Sequence, residues 1–307
     1  MEEATGTYFE WEGHRTWRRV IGEITPDGPT PAIICHGGPG ATHDYLEPMA
    51  GLAESGRPCV FYDQLGNGHS EHLPDAPSEF WTPELFQREL VALAADLGIA
   101  SRYHVVGQSW GGMLAMLHAL EHPPGLRSIT VCNSPSSMRL WVAEANRLRA
   151  DLPPDVQATL LRHEADETTD SPEYKEAMLV FYERHVCRFP VAEWPAFVTR
   201  SFDAMDSDPT VYHTMNGPSE FHTIGSLLDW NITDRLPGID VPTLLISGEF
   251  DEATPHIVEQ IHTRIPGARW ELVAGTSHLT HVEEPEIWLA LVGAFLDEVD
   301  ARQPAGG

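Results

Sequence analysis

The chain has 307 residues, 42% of them hydrophobic, with 46 Asp and Glu against 19 Lys and Arg and a formal charge of −27. That length suits one α/β core carrying an inserted lobe, and it is enough to bury a closed pocket. The charge repels phosphate, which argues against nucleic acid as a partner and disfavours anionic membrane surfaces, while it attracts ammonium-bearing substrates.

The N-terminal MEEATGTYFEWEG is acidic and lacks the apolar stretch of a signal peptide. No run approaches the ~18 apolar residues of a membrane span, so a cytoplasmic protein is the expectation. From residue 30 the chain alternates. PAIIC (31–35) reads as a buried strand entering the loop HGGPG (36–40). Residues 45–54 read as a helix. PCVFYD (58–63) is a second strand, followed by QLGNGHS. Pro83 opens a helix that Leu97 and Gly98 close. RYHVVGQ (102–108) is a third strand, SWGGMLAMLHALEHP a helix ended by Pro123 and Pro124, and RSITVCN (127–133) a fourth strand. Strands alternating with helices predict a mostly parallel, doubly wound sheet.

From about 135 to 236 no strand-like run occurs. Helical segments rich in Trp, Phe, Tyr and Met predict an inserted helical cap between core segments 1–134 and 237–307. VPTLLISG (241–248) resumes the β pattern, then a helix from Pro255, the strand ARWELV (268–273) and a C-terminal helix from Pro285. Cys35, Cys59, Cys132 and Cys187 show no CxxC and no ligand-like spacing with His. Buried free thiols are expected, with no metal site.

The chemistry centres on Gly107-Gln108-Ser109-Trp110-Gly111, a GxSxG motif between a buried strand and a helix. Glycines permit the sharp turn that lifts the Ser109 hydroxyl above the sheet, and the helix N-terminus favours developing negative charge. A serine nucleophile needs a base, an orienting acid and an oxyanion hole, in the chain order Ser, acid, His. HGGPG supplies the oxyanion loop. The expected donors are the Trp110 N–H and an N–H from Gly38, with Gly37 as the alternative. His36 reads as a loop brace. Of His278 and His281, His278 follows the last strand directly and is the expected base; His281 reads as a pocket-edge or capping residue. The crowded acids of GEFDEATP (248–255), namely Glu249, Asp251 and Glu252, follow a late strand, where the triad acid belongs.

Together GQSWGG, HGGPG, DQLGNGHS, MNGPSEF, GEFDEATP and GTSHLTHVEEPE resemble the proline iminopeptidase family of α/β-hydrolases, most closely its tricorn-interacting aminopeptidase and amino-acid amidase branch. The resemblance runs from about residue 30 to 300. It implies an α/β-hydrolase fold, Ser109 as nucleophile, Asp251 as triad acid and His278 as base. It also implies that Glu220 and Glu252 bind the substrate's α-ammonium, and that Glu249 is left without a role. Two carboxylates facing one ammonium select a free amino end, since an internal amide leaves both charges unpaired.

The expected reaction is release of one N-terminal aminoacyl group from an amide through an aminoacyl-enzyme, without metal or cofactor. The partner is a small molecule or peptide with a free amino terminus. Other readings are removal of an aminoacyl group from a small-molecule biosynthetic intermediate, a carboxylesterase or lactonase, and a non-catalytic hydrolase-fold receptor.

Overall fold

The computed structural model describes residues 6–302. In chain order the core holds β1 (Thr7–Trp11), β2 (His14–Ile21), β3 (Ala32–Cys35), β4 (Cys59–Asp63), α1 (Pro83–Asp96), β5 (Tyr103–Gln108), α2 (Trp110–Ala119) and β6 (Leu126–Cys132). Five helices follow without a strand: α3 (Met138–Arg149), α4 (Pro154–Ala165), α5 (Pro172–His185), α6 (Ala196–Ser207) and α7 (Thr210–Met215). The core then closes with β7 (Thr243–Gly248), α8 (Pro255–His262), β8 (Arg269–Val273), α9 (Thr280–Glu283) and α10 (Pro285–Arg302).

All eight strands form one sheet in the order β1-β2-β4-β3-β5-β6-β7-β8. The pairs β1–β2 and β2–β4 are antiparallel and the rest are parallel. Side chains alternate across the strands, and the core splits accordingly. Ile33 and Val105 face the layer of α1, α2 and α8, whereas Ile34 and Val106 face α10. Strands buried on both faces read as unbroken apolar runs, which is why 31–35, 58–63 and 102–108 are legible in sequence.

Two elements differ from the sequence reading. The N-terminal hairpin β1–β2 extends the sheet ahead of residue 30. Its two-residue turn puts Glu12 at φ +47° and Gly13 at φ +87°, the doubly positive geometry that matches strand twist. The segment read as a helix over 45–54 is a 3-10 helix, His43–Ser55, with Pro48 inside it. Inside an α-helix the proline ring clashes with the carbonyl four residues back, which breaks the regular α-helical run.

The strand order positions the site. β3 lies between β4 and β5, so the chain leaves β3 to one side and later returns to the other. Loops at such a switch point diverge above the carboxyl ends of the strands and leave a crevice between them. Register pairs Cys35 with Gly107, Gln108 with Cys132, Cys132 with Ile246, and Gly248 with Val273. The loops after β3, β5, β6, β7 and β8 therefore all open on one edge.

Candidate active site

Ser109 follows β5 directly and precedes α2, with φ +56° and ψ −120°. A non-glycine residue there costs about 1–3 kcal/mol and persists where the surroundings enforce it. The neighbouring glycines are required by contact: a Cβ on Gly107 would come within 2.1 Å of the Gly111 carbonyl oxygen, and one on Gly111 within 2.1 Å of the Cys35 carbonyl oxygen. Ser109 is nearly buried and lines a pocket with His278, Gly38, Gln108, Glu220 and Glu252.

His278 Nδ1 lies 2.8 Å from Asp251 Oδ1. Asp251 is fully enclosed, and its carboxylate also accepts from Ala253 N–H at 2.8 Å and Asn133 Nδ2 at 2.6 Å. These donors hold it in one orientation. With Nδ1–H given to Asp251, the lone pair on His278 Nε2 is left for the pocket, where a general base needs it. The nearest carboxylate to Nε2 is Glu252 Oε1, at 3.7 Å and outside hydrogen-bond range.

The oxyanion loop is more specific than its sequence. The Gly37 N–H is already occupied, donating to the Tyr45 hydroxyl at 2.7 Å. Gly38 lines the pocket beside Ser109. Trp110 is the first residue of α2, where a backbone N–H has no partner within the helix. Its indole is buried, donates to Gln64 Oε1 at 2.9 Å and packs edge-on against Phe86. His36 braces this loop as expected. Its Nε2 accepts from the Gln64 N–H at 2.9 Å, so Nδ1–H donates to the Gly37 carbonyl at 3.0 Å, and burial pushes its pKa down to about 4. His281 is not at the pocket edge. It is fully buried, its Nε2–H donates to the Tyr45 carbonyl at 3.0 Å, and burial pushes its pKa down to about 3.

The three acids of GEFDEATP separate. Glu249 is exposed and accepts from the Gly275 N–H at 2.9 Å, a loop brace. Asp251 faces His278. Glu252 is fully buried, and neither carboxylate oxygen has a hydrogen-bond partner. Burial, and then the nearby charges of Glu220 and Asp251, hold its carboxyl well above the usual range. Glu220, in the loop after α7, lines the same pocket, and burial raises its pKa too. Its Oε1 accepts from the Tyr212 hydroxyl at 2.7 Å. Two desolvated carboxyls converge on a space that supplies no cation.

A family model described as the alpha/beta hydrolase fold matches residues 30–285. The proline iminopeptidase of Lactobacillus helveticus is 36% identical over 290 residues, which cover 94% of this chain and 96% of that protein. That of Saccharolobus solfataricus is 36% identical over 267 residues, 87% of this chain and 84% of that one. The chain belongs to the proline iminopeptidase family of α/β-hydrolases. Among solved structures, the proline iminopeptidase of Mycobacterium smegmatis superposes with TM-score 0.89 at 48% identity, covering 97% of this chain and 99% of that one. The crystal structure of VinJ superposes with TM-score 0.94 at 49% identity, covering 96% and 99%.

Several residues that build the site of this iminopeptidase-family chain have no local sequence signal. Asn133, at φ +55° just after β6, donates to Asp251 and also to the Ser277 carbonyl and Thr280 Oγ1. The end of α5 ties the helical insertion to both catalytic loops. The His185 carbonyl accepts from the N–H groups of Glu252 and His278 at 3.3 and 3.2 Å, and the Val186 carbonyl accepts from Leu279 at 2.9 Å. A buried chain of hydrogen bonds links the HGGPG loop to the backbone of His278: Gly37 N–H to the Tyr45 hydroxyl, Tyr45 O–H to Gln108 Oε1 at 2.5 Å, and Gln108 Nε2–H to the His278 carbonyl at 3.0 Å.

Removing the hydroxyl in Tyr45→Phe breaks that chain between Gly37 and Gln108. Two hydrogen bonds are lost, and the expected result is a fall in kcat of about 10-fold or more, with KM little changed. Steady-state kinetics beside a thermal melt check it. A lower Tm with unchanged kcat makes the network structural and nothing more.

Proposed function

We propose that this protein is a serine aminopeptidase that releases N-terminal proline. One observation carries the reading: a buried carboxylate with no partner, Glu252, shares a pocket with a second carboxylate, Glu220, and with Ser109 and His278. An ammonium held between Glu220 and Glu252 supplies the missing charge. It also brings the carbonyl of the first residue to Ser109.

In this reading His278 takes the Ser109 proton as the oxygen attacks that carbonyl. Asp251 holds the imidazole tautomer and stabilises the imidazolium. The N–H groups of Gly38 and Trp110 receive the oxyanion. His278 then protonates the leaving amine, and water releases the amino acid from the acyl-enzyme. No step asks for a metal or cofactor. The helices between β6 and β7 serve as a cap over residues 135–236, set between core segments 1–134 and 237–307. A side recess of about 10 Å³, walled by Met113, Pro135, Met138, Trp141 and Leu227, opens beside Ser109 and Glu220. As it stands it holds no more than about one water-sized group, which disfavours a bulky first side chain; proline as that residue rests on the proline iminopeptidase relatives. The substrate is a proline-started peptide or amide with a free amino end. No helix among the described residues is long and apolar enough to cross a membrane, and four buried, unpaired thiols suit a reducing compartment, so the cytoplasm is the proposed location.

The test compares prolyl p-nitroanilide with its N-acetyl form and with simple p-nitrophenyl esters across pH. The raised carboxyls hold protons at the acid end, and an ammonium must displace them. KM for the free amine is therefore expected to fall as pH rises, until the amine itself loses its proton near its ordinary value of about 8. The same raised values mean the unliganded protein gives up stability as pH climbs through them, and a bound ammonium returns it. Equal turnover of free and acetylated substrate, or esters cleaved far faster than the anilide, overturns the reading in favour of an esterase.

A further inference from the structure

A second cavity, of about 240 Å³, lies in the helical insertion between α5, α6 and α7. It adjoins the catalytic pocket, with Phe202 and Met205 on α6 lining both. Met178, Leu179, Val191 and Trp194 supply much of its remaining wall. The polar atoms of that wall are turned to partners outside it. Tyr212 O–H donates to Glu220 Oε1, the Tyr182 hydroxyl accepts from the Glu220 N–H, Trp194 Nε1–H donates to the Phe189 carbonyl, and Thr199 O–H donates to the Ala196 carbonyl. The charged and imidazole lining groups Lys175, Asp203, Asp206 and His213 are exposed at the rim, where Lys175 Nζ pairs with Asp206 at 3.1 Å.

We propose that this cavity receives the group on the nitrogen side of the scissile bond, and that the best substrates carry an unbranched apolar chain there. The inference rests on the aminopeptidase reading. With the ammonium at Glu220 and Glu252, the carbonyl at Ser109 and the first side chain beside Trp141, only the leaving group remains to run past Phe202 and Met205. Met205 is unbranched and rotates readily, so its side chain swings aside to join the two spaces without backbone movement. A longer peptide fits worse. Each added residue brings an N–H and a C=O, and below the rim the wall offers them only hydroxyls that already hold one partner. An alkyl chain needs none.

The experiment measures kcat/KM for prolyl n-alkylamides from methyl to octyl, beside proline-started peptides of matching length with glycine after the first residue. The expected gain is up to about 4-fold for each methylene that enters the cavity, with the peptides showing no such rise. Leu179→Asp, on the cavity wall and away from Ser109, is expected to flatten the alkyl series and leave the methylamide rate within about 2-fold. Should that variant melt early, the series on the unaltered enzyme still decides. A flat alkyl series, or peptides that gain as much as alkyl chains, overturns the proposal while the methylamide is still cleaved. Failure to cleave even the methylamide sinks the aminopeptidase reading instead.

Discussion

Ser109→Ala is expected to lower kcat by about 10⁴- to 10⁶-fold on prolyl p-nitroanilide while the protein melts at nearly the same temperature. The hydroxyl is the only atom removed, and the turn that holds it depends on Gly107 and Gly111, which remain. Alanine tolerates φ +56° no better and no worse than serine, so the strained turn keeps its cost. Ground-state binding survives, because Glu220 and Glu252 are untouched. Residual turnover above the uncatalysed rate comes from the oxyanion donors and from positioning, as in other serine hydrolases. A rate within 10-fold of the unaltered enzyme removes Ser109 from the chemistry. It would leave the Asp251–His278 pair, at 2.8 Å, without a nucleophile to serve.

The second large effect is expected at Glu252. Glu252→Gln keeps the shape and removes the charge. Truncating one side of a buried charge pair costs about 2–5 kcal/mol, so KM for prolyl p-nitroanilide is expected to rise by about 30-fold or more. The N-acetyl substrate, which brings no cation, changes little, and the preference for a free amine collapses. Glu220→Gln acts in the same direction with a smaller loss, since Glu220 keeps its bond from Tyr212 whichever substrate is bound. That variant carries its own signature in the pH profile. The Glu220 charge is one cause of the raised Glu252 carboxyl, so its removal lets Glu252 ionise at lower pH. The acid limb of the free-amine profile then moves to lower pH. If both variants still prefer the free amine as strongly as the unaltered enzyme, the carboxyl pair is not the ammonium site.

These effects join parts of the chain that are far apart in sequence. Glu220 reaches the pocket from the loop after α7, Glu252 from the loop after β7, and the carbonyl of His185 at the end of α5 ties Glu252 and His278 together. The helical insertion therefore helps to wall the pocket and is tied to the loops that carry Glu252 and His278.

What the sequence determined by itself was whatever is encoded locally. Strands buried on both faces are unbroken apolar runs, so β3 to β7 are visible at 31–35, 58–63, 102–108, 127–133 and 241–248. The GxSxG turn needs glycine at its own neighbours, and the order of Ser109, Asp251 and His278 follows the strand order of the fold. The β1–β2 hairpin was harder to read, because its turn carries Glu-Gly in place of Asn-Gly. Tertiary structure alone decided which equivalent groups are already occupied. HGGPG favours Gly38 but leaves Gly37 open as a donor, and it is the Tyr45 hydroxyl that takes the Gly37 N–H. His278 and His281 lie three residues apart, and only packing buries His281 against Tyr45 and Trp288 while His278 meets Asp251. Glu249 and Glu252 have the same side chain, and it is burial that leaves one as a loop brace and the other without a partner. A hydrogen bond spends a donor or an acceptor, and which partner spends it is settled by distance in the folded chain, a quantity that residue order does not contain.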